Sequence, residues 1–123
     1  KGFINAYKSV RTEIEKSVAK VDGLPLYITG HSLGAALATV ATQFLESNPV
    51  FRDQIAACYT FGSPRVGNDQ FDREFKSAIY RVVNTTDIVT VIPLLAMGYI
   101  HIGDIRFLSR NKGEFRRGIP MRR

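Results

Sequence analysis

The chain has 123 residues, 45% of them hydrophobic and 23% charged, which is the composition of a single globular domain. It has no run of about 18 apolar residues, which argues against a membrane-spanning helix, and one cysteine, which excludes an internal disulfide. The net charge of +6 comes from residues 106–123, which carry seven Lys/Arg and one Glu, whereas residues 1–105 are balanced. We therefore predict a neutral core, residues 1–105, followed by a basic C-terminal segment, residues 106–123.

The first third of the chain is predicted to form a helix, a strand and a second helix. Apolar residues recur at spacings of three and four over residues 3–21, which predicts an amphipathic helix that ends at Asp22-Gly23. A short buried strand is expected over residues 24–29. Residues 33–45 are apolar nearly all round, which predicts a helix in the interior. The apolar face of the first helix is expected to comprise Phe3, Tyr7, Val10, Ile14, Val18 and Val21.

The rest of the chain continues the alternation of strands and helices. A second buried strand is predicted over residues 55–62, and we interpret its Cys58 as a buried small residue. Residues 68–79 have the pattern of an amphipathic helix, residues 80–87 that of a third strand that runs into a loop, and residues 99–108 that of a fourth strand. Strands alternating with helices favour an α/β domain in which a parallel sheet is covered on both faces.

The segment Gly30-His31-Ser32-Leu33-Gly34 lies between the first predicted strand and the interior helix. A serine on a sharp strand-to-helix turn between two glycines is the pattern of a nucleophile elbow, in which a strained backbone presents the hydroxyl to a substrate. Gly30 and Gly34 are expected to be glycines because Cβ atoms there would collide at the turn. The backbone N–H of Leu33 and the helix N-terminus would face the oxyanion of acyl transfer. The structural alternative is that Ser32 caps the helix.

Candidate partners for Ser32 are few. His31 is adjacent to it, and adjacent residues on a turn point in different directions, so we interpret His31 as a packed histidine, or as one that supports the site without being the base. Asp87 follows a strand-like run in a polar loop, after the serine in chain order, which is the order of α/β-hydrolases. The alternative for Asp87 is an ordinary turn residue. The other nearby carboxylates are predicted to lie on a solvated helix face: Asp69, Asp72 and Glu74.

Several segments, in the right order, resemble the class 3 lipase family of α/β-hydrolases: "GFINAYKSV", "ITGHSLGAALATV", "YTFGSPRVGNDQF", and "RVVNTTDIVTVIP" followed by "GYIHIGD". The resemblance covers residues 2 to about 105. It implies an α/β-hydrolase-type, mostly parallel sheet with flanking helices, of which this chain holds an incomplete core portion. It also implies a serine esterase or triacylglycerol lipase that acts on a lipid or ester substrate at a lipid–water interface, with no metal and no organic cofactor.

The resemblance also implies roles for single residues. Ser32 matches the nucleophile, and Asp87 matches the acid that orients a histidine. The family's catalytic histidine lies beyond the segment that holds His101, and its second oxyanion donor comes from a loop upstream of residue 1. His101 falls inside a predicted strand, where a catalytic histidine is not expected. We therefore expect the base to lie outside this chain, with His101 as the alternative, and we interpret Arg65 as structural.

Two other functions stay open at this point. The first is a catalytically inactive hydrolase-like module that acts by binding. The second is an anionic-surface binder that acts through the basic C-terminal segment. No basic and aromatic pattern recurs along the core, so a specific nucleic-acid partner is not expected. Residues 1–10 lack the apolar segment of a signal peptide, and neither compartment nor oligomeric state follows from the sequence.

Overall fold

The computed structural model describes residues 2–66, 76–84, 104–108 and 115–117, with only the backbone described for Asn84 and for the last two ranges. The elements are α1 (Gly2–Ala19), β1 (Leu26–His31), α2 (Leu33–Glu46), β2 (Ile55–Phe61), β3 (Ile79–Asn84), β4 (Asp104–Leu108) and β5 (Phe115–Arg117). The described strands form one sheet in the order β1-β2-β3-β4-β5. The first four strands are parallel to one another, and β5 is antiparallel to β4. The predicted α/β fold with a mostly parallel sheet is confirmed.

Both described helices lie on the same side of the sheet. Ala38 of α2 packs against Cys58 and Ile79, which belong to β2 and β3, and α1 packs against α2. On the other side, Tyr27 is 65% exposed and Phe61 is 39% exposed. The residues of β1 thus alternate between a more buried and a more exposed side. In β3 the consecutive Val82 and Val83 are both buried, which agrees with a sheet covered on both faces, whereas the outer side of β1 is exposed among the described residues.

The core depends on the close approach of α2 to the sheet. Ala35 and Ala36 are fully buried in its first turns, and small side chains there let the helix axis come near the strands. Thr39 and Thr42 are also buried, and each hydroxyl donates to the carbonyl one turn earlier, at 2.9 and 2.8 Å. Cys58 is buried beside Thr42, and burial raises the pKa of its thiol, in agreement with its interpretation as a packed residue.

Two element boundaries differ from the predictions. Residues 76–78 are not helical, and the predicted helix over residues 68–79 is wrong at its C-terminal end, since β3 begins at Ile79. The strand β4 crosses the predicted boundary after residue 105, and β5 lies inside the predicted basic segment. On the helices that the structure describes, no stretch is both long enough and apolar enough to cross a membrane.

Helix α1 presents a narrower apolar face than its spacing predicts. Tyr7 and Val18 are buried, as expected, but Val10 is 43% exposed, and Val21, 41% exposed, lies beyond the end of the helix at Ala19. The buried part of α1 contacts α2, where the ring of Tyr7 lies 4.9 Å from that of Phe44. A single neighbouring helix covers only a narrow stripe, which leaves Val10 largely in solvent.

Tyr7 gives a first prediction, because its hydroxyl is buried and finds no hydrogen-bond partner among the described residues. The change Tyr7→Phe keeps the ring and removes the unsatisfied hydroxyl, so we expect the free energy of unfolding to stay constant or rise by up to about 1 kcal/mol. The change Tyr7→Ala leaves a cavity and should lower it by about 3–5 kcal/mol. Urea denaturation of both variants measures the difference. If both variants lost the same free energy of unfolding, the hydroxyl of Tyr7 would not be unsatisfied.

Candidate active site

The backbone of Ser32 is strained. Its φ is 54° and its ψ is −121°, and it is the one non-glycine residue with positive φ in the described ranges. Such a conformation costs on the order of 1–3 kcal/mol and persists only where the surroundings enforce it. Here the N–H of Ser32 donates to the carbonyl of Phe61 at 2.9 Å, and its carbonyl accepts from Ala35 N at 3.0 Å. The turn is thus fixed to β2 on one side and to α2 on the other.

The side chain of Ser32 does not cap the helix. The residue occupies the N-cap position of α2, but its hydroxyl makes no capping hydrogen bond, and its backbone lies outside the β region that capping residues adopt. The structural alternative for this serine is therefore excluded.

The next backbone N–H belongs to Leu33, and it donates to no acceptor among the described residues. The first N–H groups of a helix point outward and carry partial positive charge, so this turn places a hydroxyl beside an anion-binding helix end.

The two glycines of the motif are not equivalent. A Cβ atom on Gly30 would overlap the carbonyl group of Gly34 and lie 2.8 Å from the backbone nitrogen of Ala35. A Cβ atom on Gly34 would meet nothing within 4 Å, because this residue faces solvent. The predicted steric need for glycine is confirmed at Gly30. At Gly34 it is wrong, since the first turn of α2 brings the backbone of Gly34, and not its missing side chain, against β1.

The remaining predicted partners are not assembled in the described part of the chain. His31 is exposed at the end of β1, in register with Phe61, so it is not a packed histidine, and a supporting role at the site stays a prediction. Asp87 and His101 lie outside the described residues, and their roles stay predictions. The structure thus brings together Gly30, Ser32 and Leu33 in one turn.

Two buried arginines, one after β2 and one within β3, lie close enough for their charges to interact. Arg65 is 8% exposed, shortly after the turn at Gly62, and Arg81 is 4% exposed within β3. Burial, together with the charge of Arg65, lowers the pKa of Arg81 to about 10. This burial agrees with the structural role predicted for Arg65 and disfavours a direct contact with substrate.

Glu46 is a buried carboxylate that the sequence analysis missed. It is 5% exposed at the last position of α2, and its oxygens accept from the backbone nitrogens of Lys76 at 3.0 and 3.2 Å and of Ser77 at 2.9 Å. Its backbone carbonyl accepts from Nε of Arg52 at 3.1 Å. A signal was present in the sequence: an acid that ends an otherwise apolar helix opposes the helix dipole and needs a compensating partner.

An open cavity of about 460 Å³ lies at the far end of α2 from Ser32. It is lined by Arg11, Phe44 and Asn48 among others, and the guanidinium of Arg11 lies 5.1 Å from the centre of the Phe44 ring. Its position at the opposite end of the helix separates it from the chemistry of the serine turn.

The sequence and the fold of this chain have counterparts among known proteins. The model of the family "Lipase (class 3)" matches residues 1–97. The chain belongs to the class 3 lipase family. It is 39% identical over 107 residues to the secreted mono- and diacylglycerol lipase 1 of Fusarium solani, covering 81% of this chain and 31% of that protein. It is also 39% identical over 92 residues to the phospholipase A1-II 1 of Oryza sativa subsp. indica, covering 72% of this chain and 23% of that one.

Solved structures of lipases share the architecture of this chain. The lipase of Rhizopus microsporus var. chinensis superposes with a TM-score of 0.80 at 28% identity, over 93% of this chain and 42% of that one. A triacylglycerol lipase whose catalytic centre is formed by a serine protease triad superposes with a TM-score of 0.78 at 29% identity, over 93% and 46%. The α/β-hydrolase fold is thereby confirmed. The chain spans about a third of the length of the mono- and diacylglycerol lipases that it matches.

The contrast between the two glycines gives a second prediction. The change Gly30→Ala forces α2 away from β1 and should lower the free energy of unfolding by about 3 kcal/mol or more. The change Gly34→Ala adds a methyl group in open space within a helix and should be neutral or raise it by up to about 1 kcal/mol. Thermal and urea denaturation of both variants measure this order. A Gly34→Ala variant less stable than Gly30→Ala would contradict it.

The strain at Ser32 gives a third prediction. Glycine adopts positive φ without strain, whereas alanine keeps the penalty and loses only the hydroxyl. We therefore expect Ser32→Gly to be more stable than Ser32→Ala by about 1 kcal/mol, although glycine also adds entropy to the unfolded chain. The comparison is made by urea denaturation, and it is independent of activity. A less stable glycine variant would show that the turn is not strained in solution.

Proposed function

We propose that this chain carries the nucleophile of a serine-dependent carboxylic ester hydrolase that acts on lipids through an acyl-enzyme. The observation that carries the proposal is the backbone of Ser32, with φ of 54° and no capping bond, at the junction of β1 and α2. A strained serine that does not stabilise its own helix has its hydroxyl available for chemistry. Membership of the class 3 lipase family supports the same reaction.

In the proposed reaction the oxygen of Ser32 attacks the carbonyl carbon of the ester, and a histidine accepts the hydroxyl proton. The N–H of Leu33, at the positive end of α2, donates to the oxyanion that forms. The histidine returns the proton to the leaving alkoxide, which leaves the acyl group on Ser32. A water molecule, deprotonated by the same histidine, then attacks the acyl carbon; the bond to the Ser32 oxygen breaks, the histidine returns the proton to that oxygen, and the acid is released.

The strand order supports Asp87 as the acid that orients this histidine. Asn84 ends β3, three residues before Asp87, and β2 lies between β3 and β1. Strands are spaced about 4.8 Å apart, so the ends of β1 and β3 are separated by roughly 10 Å. An imidazole that makes one hydrogen bond at each nitrogen spans a similar distance. The proposed base would therefore sit above the end of β2.

The register of β4 supports a base other than His101. Asp104, the first residue of β4, pairs with Tyr80 near the start of β3, whereas Leu108 pairs with Asn84 at the carboxyl end. The chain therefore enters β4 at the end of the sheet away from Ser32, and His101 precedes that entry by three residues in the sequence. We propose that the base comes from a part of the full-length protein outside residues 1–123.

The substrate class is proposed from the relatives. They include secreted mono- and diacylglycerol lipases and phospholipases A1, which differ in the head group of the lipid. Their shared chemistry is the hydrolysis of a carboxylic ester of a lipid. We propose this class, an acylglycerol or phospholipid ester at a lipid–water interface, for the full-length protein.

A fluorophosphonate probe tests the proposal, because it reacts with an activated serine. We expect the full-length protein to be labelled at Ser32, as located by peptide mapping, and the change Ser32→Ala to lower ester turnover by about 10⁴-fold or more. The matched control is Ser63→Ala, since the hydroxyl of Ser63 is buried and donates to the carbonyl of Pro64 at 2.9 Å. This variant should keep labelling and turnover.

The same experiment decides between the alternatives. An unlabelled full-length protein that hydrolyses no ester would favour the inactive binding module. Loss of labelling on His101→Ala, with the fold retained, would show that His101 is the base and that the proposed outside base is wrong.

A further inference from the structure

We propose that Glu46 is a positioning residue of this hydrolytic site, which fixes the start of β3 to the helix that carries Ser32. The inference rests on the proposed function and deepens it. Glu46 lies far from the serine turn, and no motif of the sequence contains it. Its role follows from three backbone hydrogen bonds at the C-terminal end of α2.

The position of Glu46 is unfavourable unless its carboxylate is bound. The C-terminal end of a helix carries partial negative charge, and a buried carboxylate also loses its hydration. The two consecutive N–H groups of Lys76 and Ser77 supply the compensation, with N···O distances of 2.9 to 3.2 Å. Successive backbone N–H groups of this kind form an anion-binding concavity, and hydrogen bonds to a charged acceptor are stronger than neutral ones.

The bound segment determines where β3 begins. Directly after Ser77, the carbonyl of Ala78 accepts from the N–H of Cys58 at 2.9 Å, and Ile79 pairs with Cys58 in the parallel ladder. From there β3 runs without a register shift to Asn84, three residues before Asp87. Holding residues 76 and 77 in place therefore holds the register of the strand that leads to the proposed acid.

Helix α2 connects this anchor to the nucleophile. Ser32 precedes its first residue and Glu46 is its last, about 20 Å away at 1.5 Å per residue. Buried residues lie along the length of the helix, so we expect its two ends to be positioned together. One end thus sets the serine and the other end sets the strand of the acid. A displacement of about 1 Å between reacting groups is enough to lower a rate by about 100-fold.

The test uses the full-length protein and the change Glu46→Gln, which keeps the shape but turns an NH₂ group toward an N–H donor. We expect the backbone N–H groups of Lys76 and Ser77 to exchange with deuterium at least tenfold faster. We also expect kcat per titrated serine to fall about tenfold or more, with KM nearly unchanged. Titrating the reactive serine with the fluorophosphonate probe counts only folded sites, and the assays are run well below the melting temperature of the variant.

Two further variants keep the test interpretable. Glu15→Gln is the matched control, because it removes a carboxylate that pairs with Arg11 on α1 at 2.9 Å without touching β3. It should leave kcat and the exchange of residues 76–77 unchanged. Glu46→Asp keeps the charge but is shorter, so it should fold where the glutamine variant does not and should give an intermediate kcat.

The outcomes separate the two proposals. Unchanged kcat per titrated serine in Glu46→Gln or Glu46→Asp would reduce Glu46 to a structural role and overturn this inference alone. Slow, wild-type exchange at Lys76 and Ser77 in Glu46→Gln would overturn the anchoring itself. A wild-type protein that is not labelled at Ser32 and hydrolyses no ester would overturn the proposed function, and the positioning role with it.

Discussion

The contact between the first turn of α2 and Gly30 is the constraint on which the rest of the site depends. The backbone of Gly34 lies so close to Gly30 that no other residue fits there, and this approach forces the chain to turn within Ser32. The strain is stored at a single residue, because the buried alanines of α2 hold the helix against the sheet. The packing of α2 against the sheet therefore stabilises the strained backbone that presents the hydroxyl of Ser32.

The same helix has opposite electrostatic requirements at its two ends. At Leu33 the free N–H groups favour negative charge, which suits an oxyanion that forms only during reaction. At Glu46 the helix end disfavours negative charge, yet a carboxylate is buried there and is satisfied by the N–H groups of residues 76 and 77. Backbone N–H groups bind a carboxylate at the second end, and we propose that they bind the oxyanion at the first. At the first end the donors belong to the helix, and at the second they belong to the segment before β3.

Much of the fold was predictable because it follows from local pattern. The spacing of apolar residues predicted the ends of α1 and α2 to within two residues, and the short apolar runs predicted the positions of β1 and β2. The motif also located Ser32 on its turn. It did not distinguish Gly30 from Gly34. The two glycines are symmetric about Ser32 in the sequence, but Gly30 lies in a strand and Gly34 lies in a helix, so their surroundings differ. The packing of a glycine depends on the path of its neighbours, which spacing alone does not contain.

The end of the predicted helix over residues 68–79 failed for a different reason. Its amphipathic pattern continues through residues 76–78, but the backbone there is not helical, and the N–H groups of Lys76 and Ser77 bind the carboxylate of Glu46, about thirty residues earlier. A helix would direct those N–H groups to its own carbonyls and would leave a buried charge without partners, which costs more than one turn of helix provides. A long-range polar contact thus overrides a local apolar pattern. Glu46 and Ser77, which the sequence analysis did not single out, are for this reason the residues that join α2 to the strand that precedes the proposed acid.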